Sequence, residues 1–219
     1  MKEKQAVDAK PIAIYFAVQV IVGFIAGIIF QILFGPKEIF NKMNDINGIV
    51  IFSTFSILAV IFVIIYRKRL LDDIKRLRKK DYLTIIVISI CWLILSYLLE
   101  SILSTLNVEM NNQNILNESL QASGILVVIA ITLLAPFTEE VVFRYSISTM
   151  IKKDITFIIV SSIIFGSLHA TNIALVLYSL MGAAFAIAYI KTDKNIIASA
   201  LVHVINNVAA VITMLLLIK

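Results

Sequence analysis

Residues 124–150 read GILVVIAITLLAPFTEEVVFRYSISTM. The stretch is almost wholly apolar and exceeds the roughly 20 residues that a helix needs to cross a bilayer. It is too long for a strand and shows no alternation, and in lipid an open strand would leave backbone groups unpaired, so it reads as a membrane helix. Yet it carries Glu139, Glu140 and Arg144 within six residues. One charged side chain near the bilayer centre costs roughly 2.5–3.5 kcal/mol on insertion scales, so intramembrane charges mark a functional site by default.

The rest of the chain agrees with a membrane setting. It has 219 residues, 60% of them hydrophobic and 15% charged, with a mean hydropathy of +0.98. Soluble domains hold more charge and less apolar residue, so a soluble protein is excluded. The expected fold is all-α, a polytopic transmembrane helical bundle of about seven spans. These fall near 12–34, 48–66, 82–106, 124–150, 155–171, 173–190 and 196–218. The split at 171–173 is where a further short or re-entrant piece, giving eight, would be concealed. One integrated membrane domain is expected: residues 1–123 form the N-terminal helices with a basic cytoplasmic loop at 67–81, and residues 124–219 form the core that carries the site. The polar segment 1–10 is followed by an apolar run too long for a signal-peptide core, so that run reads as a first span. Cys91 lies in an apolar run and implies no disulfide.

Lys and Arg set the orientation. With the N-terminus cytoplasmic, the inner side holds Lys2, Lys4, Lys10, the eight basic residues between Arg67 and Lys80, Lys152, Lys153, Lys191 and Lys194, whereas the outer side holds only Lys37, Lys42 and Lys219. The net charge of +5 therefore follows topology and gives no reason to expect a nucleic-acid partner; the lipid bilayer is the expected surroundings, in a multi-pass cell membrane protein. In the loop 67–81, Leu70, Leu71, Ile74 and Leu77 recur at helical spacing, which fits a short interfacial helix with a basic face, while plain positive-inside anchoring covers most of the same facts and is the preferred reading. The Asn- and Gln-rich segment 107–123 is either a cap over the outer mouth of a cavity or a solvated connector.

Both histidines of the chain, His169 and His203, fall in apolar stretches expected to be helical. Glu100 sits near the outer end of the third span, where it is expected to reach headgroups. A rise of about 1.5 Å per residue puts Glu139, His169 and His203 in one layer on the cytoplasmic side of the midplane. Glu140 and Arg144 are four apart and can pair on one helix face, which leaves Glu139 turned about 100° away. His203 and Asn207 share a face, as do Phe165 and His169. Pro136 removes one helical hydrogen bond just before the carboxylates and is expected to kink or loosen that helix.

A carboxylate, two imidazoles and an amide in a partly dry cavity suit peptide hydrolysis. The carboxylate, with an imidazole sharing the role, takes a proton from water, and His203 with the Asn207 amide supplies donors to the oxyanion. Alternatively Glu139, His169 and His203 make a catalytic zinc set with an open fourth position, so zinc is the cofactor that this arrangement would take. There is no H-E-x-x-H and no G-x-S-x-G in the chain. Ser161, Ser162, Ser167 and Ser179 read as small packing residues.

The three elements Glu139-Glu140-x-x-x-Arg144, Phe165-x-x-x-His169 and His203-x-x-x-Asn207 resemble, in order and type, the motifs of the CPBP intramembrane proteases. That family is also called Abi and includes the type II CAAX prenyl endopeptidases. The resemblance covers about 80 residues of the C-terminal half, and the first three helices match no motif. It implies an all-helical intramembrane endopeptidase acting on a membrane-embedded or lipid-associated peptide or protein. Glu139 and His169 would activate the water, His203 and Asn207 would stabilise the oxyanion, and Glu140, Arg144 and Phe165 would support the site. The family has been described both as metalloproteases and as metal-free glutamate proteases. The Ile-, Lys- and Asn-rich composition points to an A+T-rich bacterial genome and a bacterial plasma membrane, where prenylated substrates are not expected. Bacterial members of the family are linked to bacteriocin self-immunity and to processing of peptides or membrane proteins. Two other readings stand beside this one: a non-enzymatic immunity or scaffold protein of the same fold, and a proton-coupled transporter, against which the chain shows no repeated halves.

Overall fold

The computed structural model describes residues 6–108 and 124–217, together with 118 and 121 between them. Among the described residues seven helices of four or more residues follow one another: α1 (Lys10–Asn41), α2 (Met43–Arg76), α3 (Lys79–Thr105), α4 (Ile125–Met150), α5 (Asp154–Ser167), α6 (Ala174–Lys191) and α7 (Ile196–Leu217). Six of them are long and apolar enough to cross a membrane, and α5 is a shorter apolar helix. This is a multi-pass, all-helical membrane protein. Most of segment 107–123, read as a cap or a connector, lies outside the described residues.

Burial follows position in the bundle. The spanning window of α4 is 61% buried, against 6% for α1. Helix α4 is therefore the central post, and α1 lies at the periphery with most of its apolar side chains facing outward, as lipid allows. Helix α1 breaks at Gly35 (φ 71°, ψ 166°), a conformation essentially restricted to glycine.

Two readings need correction. The segment 67–81 holds no separate interfacial helix: α2 runs on through Arg76, and the break is confined to Leu77 and Arg78. The cause is burial. Leu70 is 6% exposed and Asp73 fully buried, so the helical spacing continues the same packed face. The basic residues decorate a helix extension. Asp81 restarts the next helix by accepting from the Arg78 backbone N–H at 2.9 Å.

The second correction concerns α5. It ends at Ser167, so His169 lies in a turn after the helix, its N–H donating to Gly166 O at 3.0 Å. Fourteen residues rise only about 21 Å, short of the roughly 30 Å hydrocarbon core. Helices α5 and α6 make a tight hairpin whose turn lies at depth. A Cβ on Gly166 would stand 2.8 Å from Ser179 N and 2.9 Å from Leu175 O, so only glycine permits this approach.

The inner end of α7 is clamped from α2 and α3. Asp73 accepts from Ile196 N–H at 2.9 Å and its backbone carbonyl from Asn195 Nδ2 at 2.7 Å. Arg69 Nη2 donates to Lys194 O at 2.5 Å, and Arg78 pairs with Asp193 at 2.6 Å. These contacts hold the α6–α7 turn, where Asp193 and Lys194 both take positive φ.

Candidate active site

Helix α4 departs from α-geometry twice, as π-turns at Ala130–Leu134 and Val141–Ser146, on either side of the carboxylates. π-turns of this kind recur at functional sites. The first one resolves the expectation about Pro136. Ala135 N–H bonds to Ala130 O, five residues back. One step on, the bond to Ile131 O would come from residue 136, and proline has no N–H. The orphaned Ile131 carbonyl accepts instead from Asn207 Nδ2 on α7 at 2.7 Å. A buried carbonyl needs such a partner, and the loosened backbone becomes a link between two helices.

The adjacent glutamates diverge. Glu140 and Arg144 are fully buried and pair at 2.9 Å. Arg144 also reaches Ser161 at 3.4 Å and lies over the rings of Phe165 and Phe185, at 5.4 and 5.9 Å. Glu140 does more than balance that charge. Its second oxygen meets His203 Nδ1 at 3.1 Å, and Ser199 donates to the first. Ser199 Oγ also lies 2.8 Å from Phe185 O, so its single hydrogen is shared between the two acceptors. The His203 ring stacks on Phe185, 4.2 Å between centroids. With Nδ1–H given to a carboxylate, the neutral ring leaves Nε2 as a lone pair, and that nitrogen lies 3.8 Å from Glu139 Oε2.

His169 is oriented in the same manner by a different group. Its Nδ1 lies 2.8 Å from Phe165 O, and a carbonyl can only accept, so Nδ1 is the donor and Nε2 again is left free. The ring stacks between Phe165 and Tyr178, at 4.3 and 5.4 Å.

Glu139, His169, His203 and Asn207 all line one cavity of about 250 Å³. Phe165 supports it from behind, and Glu140 and Arg144 lie outside its wall. The structure thus brings the expected residues together and divides the carboxylates as their 100° separation requires. The lining, which includes Ile51, Ser96, Glu100, Val211 and Met214, comes largely from the halves of α2, α3 and α7 remote from the basic ends. The cavity therefore opens toward the side poor in Lys and Arg. Glu139 is near the middle of α4. Glu100, expected at headgroups, lines the same cavity.

Asn207 is less free than its spacing implied. Besides the bond to Ile131, its Oδ1 accepts from Asn206 Nδ2 at 2.9 Å, and Asn206 Oδ1 accepts from Trp92 Nε1 at 2.7 Å. One N–H of the Asn207 amide remains for the cavity. Sequence reasoning missed Ser199, Asn206, Trp92 and Tyr15, whose side chain approaches Glu139 from α1. Ser199 was within reach, since it lies one turn before His203 on the face that also carries Asn207.

Glu139, His169 and His203 offer the donor types of a metal site, and their geometry decides whether they could hold an ion. Among the described residues, no three His, Cys, Asp or Glu side chains converge closely enough to hold one ion. The two free Nε2 atoms have the right character, but the three donors do not gather.

Residues 121–209 match the family model described as type II CAAX prenyl endopeptidase, Rce1-like. This stretch is similar to the Rce1-like family over somewhat less than half of the chain. The matched stretch takes in α4 to α7 up to Ala209, and hence Glu139, Glu140, Arg144, Phe165, His169, His203 and Asn207, but not the lining residues from α2 and α3 or from α7 beyond 209. A protein of Mycoplasma capricolum, described as uncharacterized, is 26% identical over 209 residues, covering 85% of this chain and 62% of its own length. The Bacillus subtilis protein named "Putative membrane peptidase YdiL" is 31% identical over 110 residues, 49% of this chain and 44% of its own length. The chain thus spans less than two thirds of either relative. No solved structure matches it significantly.

Proposed function

We propose that the protein is an intramembrane endopeptidase that hydrolyses a peptide bond of a membrane-embedded peptide or protein with a water activated by Glu139. The observation that carries this reading is the division of the adjacent carboxylates: Glu140 is consumed by Arg144, Ser199 and His203, while Glu139 faces the cavity 3.8 Å from the free nitrogen of His203. The similarity to the Rce1-like family and the named peptidase relative support the reaction class.

In this mechanism water attacks the carbonyl carbon as Glu139 takes one of its protons. The lone pair of His169 Nε2 accepts the water's other hydrogen and fixes its direction. The developing oxyanion is met by the remaining amide N–H of Asn207 and by Nε2–H of a His203 ring that took its second proton from solvent before the step and keeps it throughout. Glu139 then returns its proton to the departing amine nitrogen, which closes the proton balance. No step is routed through a metal, because the donors do not converge.

The test is cleavage of membrane-embedded peptides by reconstituted protein. Glu139→Gln is expected to lower kcat by about 10²–10⁴-fold, the range for loss of a general base, with unchanged insertion. Full activity in that variant would remove Glu139 as the base, and no cleavage by the wild-type protein would leave a scaffold of this fold in its place. Zinc content of the purified protein, measured with and without the substitution, decides the metal alternative independently.

A further inference from the structure

Helix α3 contributes Trp92, Ser96 and Glu100 to the cavity, at successive intervals of four. They form one stripe along one helix face. Trp92 is fixed at the level of the amide pair by its 2.7 Å bond to Asn206. Glu100 lies eight residues farther toward the outer end, about 12 Å along the axis. Its side chain is exposed, and among the described residues no cation pairs with it. The neighbouring outer wall is apolar, with Ile51, Val211 and Met214. A lone carboxylate at the outer end of an apolar slot is costly without a partner, and this side of the bundle supplies few cations of its own.

We infer that Glu100 is a specificity residue: it receives a Lys or Arg side chain of the substrate three or four residues from the scissile bond, on the outward-facing side. The spacing comes from the 12 Å separation, because an extended chain advances about 3.3 Å per residue. The inference rests on the peptidase reading for its substrate, but not for the charge preference itself.

The test uses the full chain in liposomes and synthetic apolar peptides of about 25 residues, each with a single Lys walked outward from the cleaved bond in either chain direction. Wild-type protein should cleave the peptide with Lys at the third or fourth position about tenfold faster than its Gln counterpart. Glu100→Gln should flatten that ratio, and Glu100→Lys should turn the preference toward a Glu peptide. Equal rates for Lys and Gln in the wild type, or a ratio preserved in Glu100→Gln, would overturn the inference. A second arm measures binding of the same fluorescent peptides to the Glu139→Gln variant. If the wild type cleaves no peptide, the peptidase reading fails, and a Lys-over-Gln binding preference that depends on Glu100 still upholds the charge recognition; no binding preference refutes it.

Discussion

Glu140 has three partners, and each can be separated by substitution. Removing it alone leaves the Arg144 guanidinium buried without a counter-charge, and breaking a buried pair in this way costs about 3–5 kcal/mol. Glu140→Gln should therefore lower the unfolding midpoint in detergent sharply. The double variant Glu140→Gln with Arg144→Met should regain much of that stability, since an apolar pair of similar volume fits such a site. Activity should not return, because His203 would still lack the carboxylate that fixes its ring. Recovery of both together would mean that the pair is architectural only. The i,i+4 spacing made the Glu140–Arg144 pair legible in the sequence. The third partner was not legible, because the bond to His203 joins residues 63 apart and depends on how α4 and α7 cross.

At the level of elements, the least predictable feature is the register of α4. A proline three residues before the carboxylates announces a loosened helix, but not a π-turn or the carbonyl that it releases. That carbonyl is Ile131, and Asn207 is its partner. Asn207→Ala should destabilise the protein by about 1–3 kcal/mol, the penalty for an unsatisfied buried acceptor. In a Pro136→Ala background residue 136 regains its N–H and can serve Ile131 itself, so the cost of Asn207→Ala should shrink. A double-mutant cycle on unfolding midpoints reads this coupling, and strict additivity would contradict it. The α5–α6 hairpin gives a second check. Gly166→Ala cannot fit without separating the helices, so His169, three residues on, should lose its place, and activity should fall further than the unfolding midpoint does. Hydropathy marked α5 as a span because it counts apolar residues and does not register that the turn at His169 is paired and stacked in place.

For the whole molecule, charge sets the expected orientation, and the structure relates the basic ends to the site. The ends rich in Lys and Arg carry the clamp from Asp73, Arg69 and Arg78 onto the α6–α7 turn, whereas the cavity opens toward the opposite end. Single cysteines introduced in a Cys91→Ser background should show this polarity. A cysteine at Asp193 should react with an impermeant maleimide only from the cytoplasmic side, and one at Met43 only from the other. The reverse pattern would place the mouth of the cavity on the cytoplasmic face. Asp73→Ala should weaken the start of α7 by about 0.5–2 kcal/mol, the usual worth of a helix cap.

The divergence of Glu139 from Glu140 also bears on how the interior tolerates a reaction at all. Glu140 and Arg144 cancel, which leaves Glu139 as the carrier of the site's surplus negative charge when it acts as the base. In the proposed reaction, proton transfer from water neutralises Glu139 at the moment when the oxyanion appears beside it. The negative charge is displaced by a few ångströms, and the sum enclosed by the helices stays the same whatever the state of His203. In a medium of low dielectric constant a change of total charge is far more costly than its displacement. The bundle can therefore remain rigid while bond cleavage proceeds, with no counter-ion drawn in from water to accompany the step.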